Sequence, residues 1–439
     1  MGKKRIMQEN SKKQLGLFDA VFLGIGAMIG AGIFALLGQA GAIAHSAVFI
    51  SFILGGFIAL LSGYSLSKLG VRFPSAGGII EYLVQSYGVG FFSGGMSIAL
   101  YIAALIALSL IAKAFGSYAS VFFPELSYLK ELLAVSIIII FTLINLSGAS
   151  KVTKIENIIV VSKVLILVVL ASAGLFYLNT DMISPSTYPS TFNIASSIGV
   201  TFFAYEGFRV ITNTAEDLKD VEKNLPLAMF IAIAIVMLLY IVLSISVFGN
   251  LPLNEVIQSK DYALAEVAKP IFGSLGFKIM VLTALISTSS AINANLFAVT
   301  NVTYQMAKNR ELPSVFAKPI AHSKEGLIIT SILTIILTML FDLEQTAIIG
   351  SISILFIHAC VHFGHLKIIK ETKAIRSLVI LALLGTVSAI GLISWYQLKK
   401  SPLVFFYLII FIALSFLTEF IIKKITDKSI QPRTPVIKK

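Results

Sequence analysis

The sequence is 439 residues long, 57% hydrophobic and only 13% charged, with a mean hydropathy of +0.92. A water-soluble chain of this length carries about a quarter charged residues, so that class is excluded. The formal net charge of +12 raises nucleic acid or an anionic surface as partners, while a single cysteine, Cys360, excludes an internal disulfide and a cysteine-rich metal site.

The chain opens on a basic tail, 1–16, with Lys3, Lys4 and Arg5 near its start. The apolar run that follows has no small-residue cleavage site after it, so it reads as a retained span rather than a leader. Ile6 stands where a myristoylation motif needs Ser or Thr. Runs long enough to cross a ~30 Å hydrocarbon core with ~20 residues are predicted at 17–43, 46–67, 90–120, 132–150, 155–178, 192–215, 226–249, 274–307, 327–342, 345–365, 376–397 and 402–422. Ten-residue segments of alternating polarity are absent, which excludes a β-barrel.

Twelve spans put both ends on one side. With the N-terminus in the cytoplasm, 25 of the 34 Lys and Arg fall in inside segments and six in outside loops. That is the positive-inside bias, and it accounts for the basic charge without nucleic acid. The predicted location is the cytoplasmic (inner) membrane, with the lipid bilayer as partner and both termini cytoplasmic, the second in a tail over 423–439. Lys113, Lys163 and Arg209 are the basic residues left inside spans.

Two spans carry interruptions. Span 1 reads Gly24-Ile25-Gly26-Ala27-Met28-Ile29-Gly30-Ala31-Gly32-Ile33-Phe34, and each glycine weakens a helix by roughly 1 kcal/mol relative to alanine. Span 6 reads Phe202-Phe203-Ala204-Tyr205-Glu206-Gly207-Phe208-Arg209 at its middle. Breaks at matching positions of two five-helix halves, 17–178 and 192–365, point to an inverted-repeat transporter with its site at the midplane. Unwound backbone is tolerated in a membrane only where it lines a cavity or binds something. A stub starting near Gly30-Ala31-Gly32 would aim N–H groups at a carboxylate, and free carbonyls around Phe203 and Tyr205 would suit an ammonium group. A zwitterion fits such poles. The competing reading is that the glycines permit close helix packing, Gly26 and Gly30 being four residues apart.

These residues resemble the amino acid–polyamine–organocation superfamily, in particular its small proton-coupled amino-acid permeases of prokaryotes. The resemblance runs over nearly the whole chain, through the span 1 and span 6 motifs, Phe73-Pro74-Ser75-Ala76-Gly77-Gly78, Glu216 to Pro226, and Asn293 to Pro313. It implies an all-α fold of two five-helix inverted repeats with helices 1 and 6 broken, plus two extra helices at 376–422. It also implies that the amino-acid carboxylate meets backbone amides at Gly30, Ala31 and Gly32. The amino group would meet carbonyls near Met28, Phe203 and Glu206, with Phe203 as an aromatic gate.

Lys163 lies nine residues past Lys154, ~13 Å into the membrane at 1.5 Å per residue, among apolar neighbours. Ionisable residues at depth are costly and presumed functional, although a lysine can also snorkel to the surface. Similar permeases carry a lysine here, near a span 1 carbonyl and span 8 hydroxyls. In this sequence the resemblance places Gly26 and one or two of Ser287, Ser289 and Ser290 around it. Lys163 is the expected proton carrier, with the proton as coupling ion and no cofactor.

Glu206 stands where relatives more often have an apolar residue. It could bind a cationic side chain or polyamine, accept a proton, or pair with Arg209 three residues on. Arg209 replaces a residue often acidic in the family. His358, His362 and His365 share one face of span 10; they could bind a metal or relay protons, but Lys367 nearby makes a surface-proximal stripe the expected reading. A divalent-metal carrier would want a hard acidic ligand in the span 1 break, and Asp19 is too near the cytoplasmic end. No enzyme-like set of nucleophile and base is visible, nor a channel's filter or charge ring. The expected function is proton-coupled symport of an amino acid or related amine by alternating access, with an amino acid/polyamine exchanger or an amino-acid sensor as alternatives.

Overall fold

The computed structural model describes residues 15–123, 125–126, 128–148, 153–308 and 310–426. The predicted tails, 1–16 and 423–439, lie outside it except for their innermost residues. The described chain is all-α apart from a two-residue hairpin, Pro319–Ile320 with Ser323–Lys324.

Span 1 is Leu17–Ala44, span 2 Val48–Arg72, span 3 Phe91–Ser120, span 4 Leu129–Leu146 and span 5 Thr153–Phe176. Span 6 is in pieces, Thr191–Ser196, Ile198–Ala204 and a 3-10 stretch Glu206–Thr214. Then come span 7, Val221–Asn250; span 8, Ala268–Lys308; span 9, Glu325–Leu340; span 10, Leu343–Lys367; span 11, Arg376–Lys400; and span 12, Pro402–Thr426. Among the described residues nine stretches are long and apolar enough to cross a membrane, one of them running through the end of span 1 and all of span 2. The outward faces are apolar: Phe57, Leu143, Leu165, Leu238 and Met339 are exposed. In water such a surface would aggregate; in lipid it is the solvent-matched face.

Two expectations shift. Span 7 begins at Val221, five residues before the predicted start, and carries Pro226 inside it. A proline interior is disfavoured because it lacks a ladder N–H, yet so near the helix start only one bond is lost. Span 8, predicted from 274, begins already at Ala268, in a helical segment that joins the rest across Gly273, whose φ of 70° bends the chain. The motif after span 2 leads into a short, buried helix, Ile79–Tyr87. Its cap, Gly78, has φ 50°, and a Cβ there would fall 2.3 Å from Asn213 Oδ1 at the end of span 6.

Spans 1, 2, 6 and 7 contact one another, and spans 3, 4, 8 and 9 form a second mutually packed group. Span 5 leans on spans 7 and 8. Loop contacts sort into two faces. On one, Leu15 bonds to the segment at Asp217, His322 to Leu146, and Arg72 pairs with Glu371. On the other, Lys130 meets Asp261, while Lys260 and Lys400 meet Glu344. No described loop contact mixes the two sets, as alternating spans require.

Candidate functional site

Span 1 does not break as expected. It is helical from Leu17 through Ala44. What sets it apart is that neighbouring side chains reach its carbonyls. Lys163 of span 5 donates to Gly26 O at 3.0 Å, Tyr240 of span 7 to Met28 O at 2.7 Å, and Ser287 of span 8 to Ile29 O at 3.0 Å. The carbonyls of Gly26, Met28 and Ile29 are thus shared with three other spans, while the helix runs unbroken through them.

The glycines make this approach feasible. A Cβ on Gly32 would lie 2.3 Å from Ala204 O of span 6, and one on Gly207 would lie 2.4 Å from Met28 N. Close helix packing and polar backbone contact are therefore one feature here, not rival readings. Gly30 faces Ala291 of span 8 in the same way. Ala31 is placed by its backbone alone.

Span 6 does break. Beyond Ala204 the chain tightens, Tyr205 N–H bonding to Phe202 O and Phe208 N–H to Tyr205 O. These i→i+3 bonds are poorer than the α-helical ladder and mark a strained or hinged stretch. Phe203 is buried, its ring filling the space left by Gly350 of span 10. The Tyr205 side chain turns away: its hydroxyl donates to Phe52 O of span 2 at 3.0 Å and its ring meets Phe52 and Tyr240. Only the backbone of Tyr205 is left to face a ligand.

Glu206 is 8% exposed and held between two partners. Arg209 Nε stands 2.5 Å from its Oε1 without the N–H aligned along the contact, so charge rather than a hydrogen bond joins them. His358 Nε2 stands 3.1 Å from Oε2. A carboxylate already matched by a guanidinium presents little net charge to a ligand.

Lys163 is 3% exposed, which corrects the snorkelling alternative. Ser289 and Ser290 are half-buried and make no hydrogen bond to Lys163 among the described contacts; Ser287 is the span 8 hydroxyl that reaches span 1. The histidine stripe is also corrected. His358, His362 and His365 are each 0% exposed, turned into the protein rather than to its surface. Sequence periodicity put the three on one face of span 10 but could not say which way that face turned. Among the described residues no three His, Cys, Asp or Glu are placed to hold a metal ion. A cavity of about 470 Å³ opens between spans 2 and 7, lined by Leu60, Tyr64, Met229 and Ile233, and lies away from these groups.

An amino acid permease family model matches residues 15–422. The chain belongs to that family, within the amino acid–polyamine–organocation superfamily. The permease is 37% identical over 83% of its length to the inner membrane transport protein YbaT of Escherichia coli, covering 86% of that protein. It is 35% identical over 96% of its length to an uncharacterized protein of Methanocaldococcus jannaschii, covering 98% of it. The serine/threonine exchanger SteT of Bacillus subtilis is 28% identical over 71% of each chain. The permease is thus a membrane transporter of amino acids. Tyr240 and the histidines of span 10 are the members of this region that sequence reasoning passed over or misplaced. Tyr240 lies in a uniformly apolar run that gives no signal of its role.

Proposed function

We propose that the permease carries neutral amino acids together with protons into the cytoplasm by alternating access. The observation that carries this reading is Lys163, buried in span 5 with its ammonium on the Gly26 carbonyl of span 1. A charged ammonium makes a stronger hydrogen bond to a carbonyl than a neutral amine does. Proton loss therefore loosens span 5 from span 1, and with it the group of spans 1, 2, 6 and 7 from the rest. That is the coupling a symporter needs.

The substrate carboxylate would take the amides of Gly30, Ala31 and Gly32 once span 1 opens locally. The amino group would take carbonyls near Met28, Phe203 and Glu206, under the Phe203 ring. Arg209 beside Glu206 argues against a cationic or polyamine substrate, since the carboxylate is already matched. The two five-helix repeats, 17–178 and 192–365, and the inner-membrane orientation with both termini cytoplasmic belong to the same proposal. Exchange is the second reading, because one relative bears the name of an exchanger.

The test is uptake of labelled amino acids into proteoliposomes with and without an inward-acid gradient, in wild type and Lys163→Ala. Gradient-driven uptake in wild type and its loss in the variant support proton symport. Uptake driven only by internal amino acid makes the protein an exchanger. Gradient-driven uptake kept by the variant removes Lys163 from the coupling.

A further inference from the structure

Two of the three buried histidines of span 10, His362 and His365, form one end-to-end set of hydrogen bonds with span 2 and Thr372. His365 Nε2 meets Thr372 Oγ1 at 2.8 Å, and His365 Nδ1 meets Ser65 Oγ at 2.8 Å. Ser65 Oγ also meets His362 Nδ1 at 3.0 Å, and His362 Nε2 meets Ser62 Oγ at 3.0 Å. Thr372 lies next to the exposed Arg72–Glu371 pair, on the face that is cytoplasmic in the proposed orientation. Deeper in, the His358 ring stands 5.8 Å from that of His362, and His358 Nε2 holds Glu206 in the span 6 break.

The hydrogens along this line have a single consistent direction. Thr372 donates to Ile369 O, so it accepts from His365 Nε2–H. A neutral imidazole donates from one nitrogen and accepts at the other. His365 Nδ1 therefore accepts from Ser65, Ser65 accepts from His362 Nδ1–H, and His362 Nε2 accepts from Ser62. The same distances serve the reverse order once Thr372 turns its hydrogen from Ile369 O to His365 Nε2. A file with two polarities is what stepwise proton passage needs, because each group takes one proton and gives up another. Histidine is the side chain suited to such shuttling, and intramembrane histidine chains are a recognised form of proton relay.

The geometry points to a proton relay from His358 through His362, Ser65 and His365 to the Thr372 face, distinct from Lys163 and ending beside the substrate region at Glu206. His358 Nδ1 is buried with no hydrogen-bond partner among the described residues. With Nε2–H given to Glu206, that atom is the one free to accept a proton. The proton leaves Nδ1 for the Ser62–His362 pair, an interval with no direct hydrogen bond that waits on ring reorientation or a water. It then displaces one proton at each successive group until one is released at Thr372. Other ionisable groups around span 10 are engaged elsewhere. Tyr87 donates to Cys360 O, Lys367 lies over the Tyr87 ring, Glu81 accepts from Gln85, and Glu419 lies against Gly94 of span 3.

This inference rests on the transport reading, and the test separates the two. Proteoliposomes containing a pH-sensitive dye report gradient-driven amino-acid uptake and internal acidification. Counterflow, the exchange of labelled for unlabelled amino acid without a gradient, reports substrate movement alone. His362→Gln keeps a donor and an acceptor for Ser62 and Ser65 but cannot carry an excess proton; Ser65→Ala cuts the file. Both variants should keep counterflow within about twofold of wild type while gradient-driven uptake and acidification fall about tenfold. Gradient-driven uptake within about twofold of wild type in His362→Gln overturns the relay. So does loss of counterflow in parallel, which makes the cluster a structural one. Wild-type protein without counterflow of any amino acid overturns the transport reading itself, whatever the variants do.

Discussion

Spans 1 and 6 were expected to behave alike, and they do not. Span 1 holds its helix through a glycine-rich stretch, and Lys163, Tyr240 and Ser287 bond to carbonyls that the glycines leave accessible. Span 6 has only Gly207 in its motif, yet it gives up the α-helical ladder at Tyr205. There the burial of a charged pair, Glu206 and Arg209, and the anchoring of the Tyr205 side chain to span 2 dictate the local course. Glycine content alone therefore does not break a membrane helix. Whether it opens depends on which outside donors and acceptors are in reach, and those are set by tertiary packing.

The largest expected effect comes from removing the space the two spans share. Gly32→Ala puts a methyl 2.3 Å from a backbone oxygen, Ala204 O, and 2.8 Å from the Tyr240 hydroxyl. Neither backbone can yield cheaply. Overpacking of this kind costs about 1–3 kcal/mol, and uptake should fall at least about tenfold alongside a lower unfolding midpoint in detergent. Gly30→Ala is the matched comparison, since it meets the side-chain methyl of Ala291 rather than backbone. Equal damage from both would mean that span 1 tolerates no added volume anywhere, and the special closeness to span 6 would not hold.

A smaller effect should come from the charges in span 6. Glu206→Gln leaves Arg209 without its counter-charge, and Arg209→Gln leaves Glu206 with His358 alone. Each should lower stability by about 1–3 kcal/mol, the cost of an unpaired buried polar group. The double variant should cost less than the sum, because the groups act as a pair. Measured by chemical unfolding of the purified protein, additive losses would show that the pair is not what shapes the break. Uptake competition sharpens the same point. Lysine and arginine should compete poorly in wild type and better in Arg209→Gln, where the carboxylate regains its net charge.

Much of this fold was legible in the sequence. Twelve apolar runs and their order follow from bilayer thickness, and the Gly-rich and Phe202–Arg209 motifs marked the two spans whose backbones meet. Lys163 stood out because a lysine set among valines and leucines at that depth costs too much to be incidental. The facing of side chains was not legible. A mostly apolar helix does not show which face turns inward, so with Lys367 nearby the sequence placed the span 10 histidines at the surface when they point inward to Glu206, Ser62 and Ser65. Tyr240 was hidden for the same reason. The donors on span 1 carbonyls come from spans 5, 7 and 8, up to 258 residues away in the chain, which no local reading supplies.

The smallest effect is expected at Tyr240. Its hydroxyl donates to Met28 O at 2.7 Å and stands 3.4 Å from Ala204 O, so it bridges the two spans. Tyr240→Phe keeps the ring against Phe52 and Tyr205 and removes only the oxygen. Met28 O retains its helical ladder partner in a continuous span 1, so the loss should be that of one hydrogen bond, about 0.5–1.5 kcal/mol. Amide exchange then locates the consequence. Faster exchange confined to Ile29–Ile33 would show that the outside donors hold span 1 closed. Unchanged exchange there would mean that the helix stands by its own ladder, and the contrast with span 6 would reduce to the Glu206–Arg209 pair.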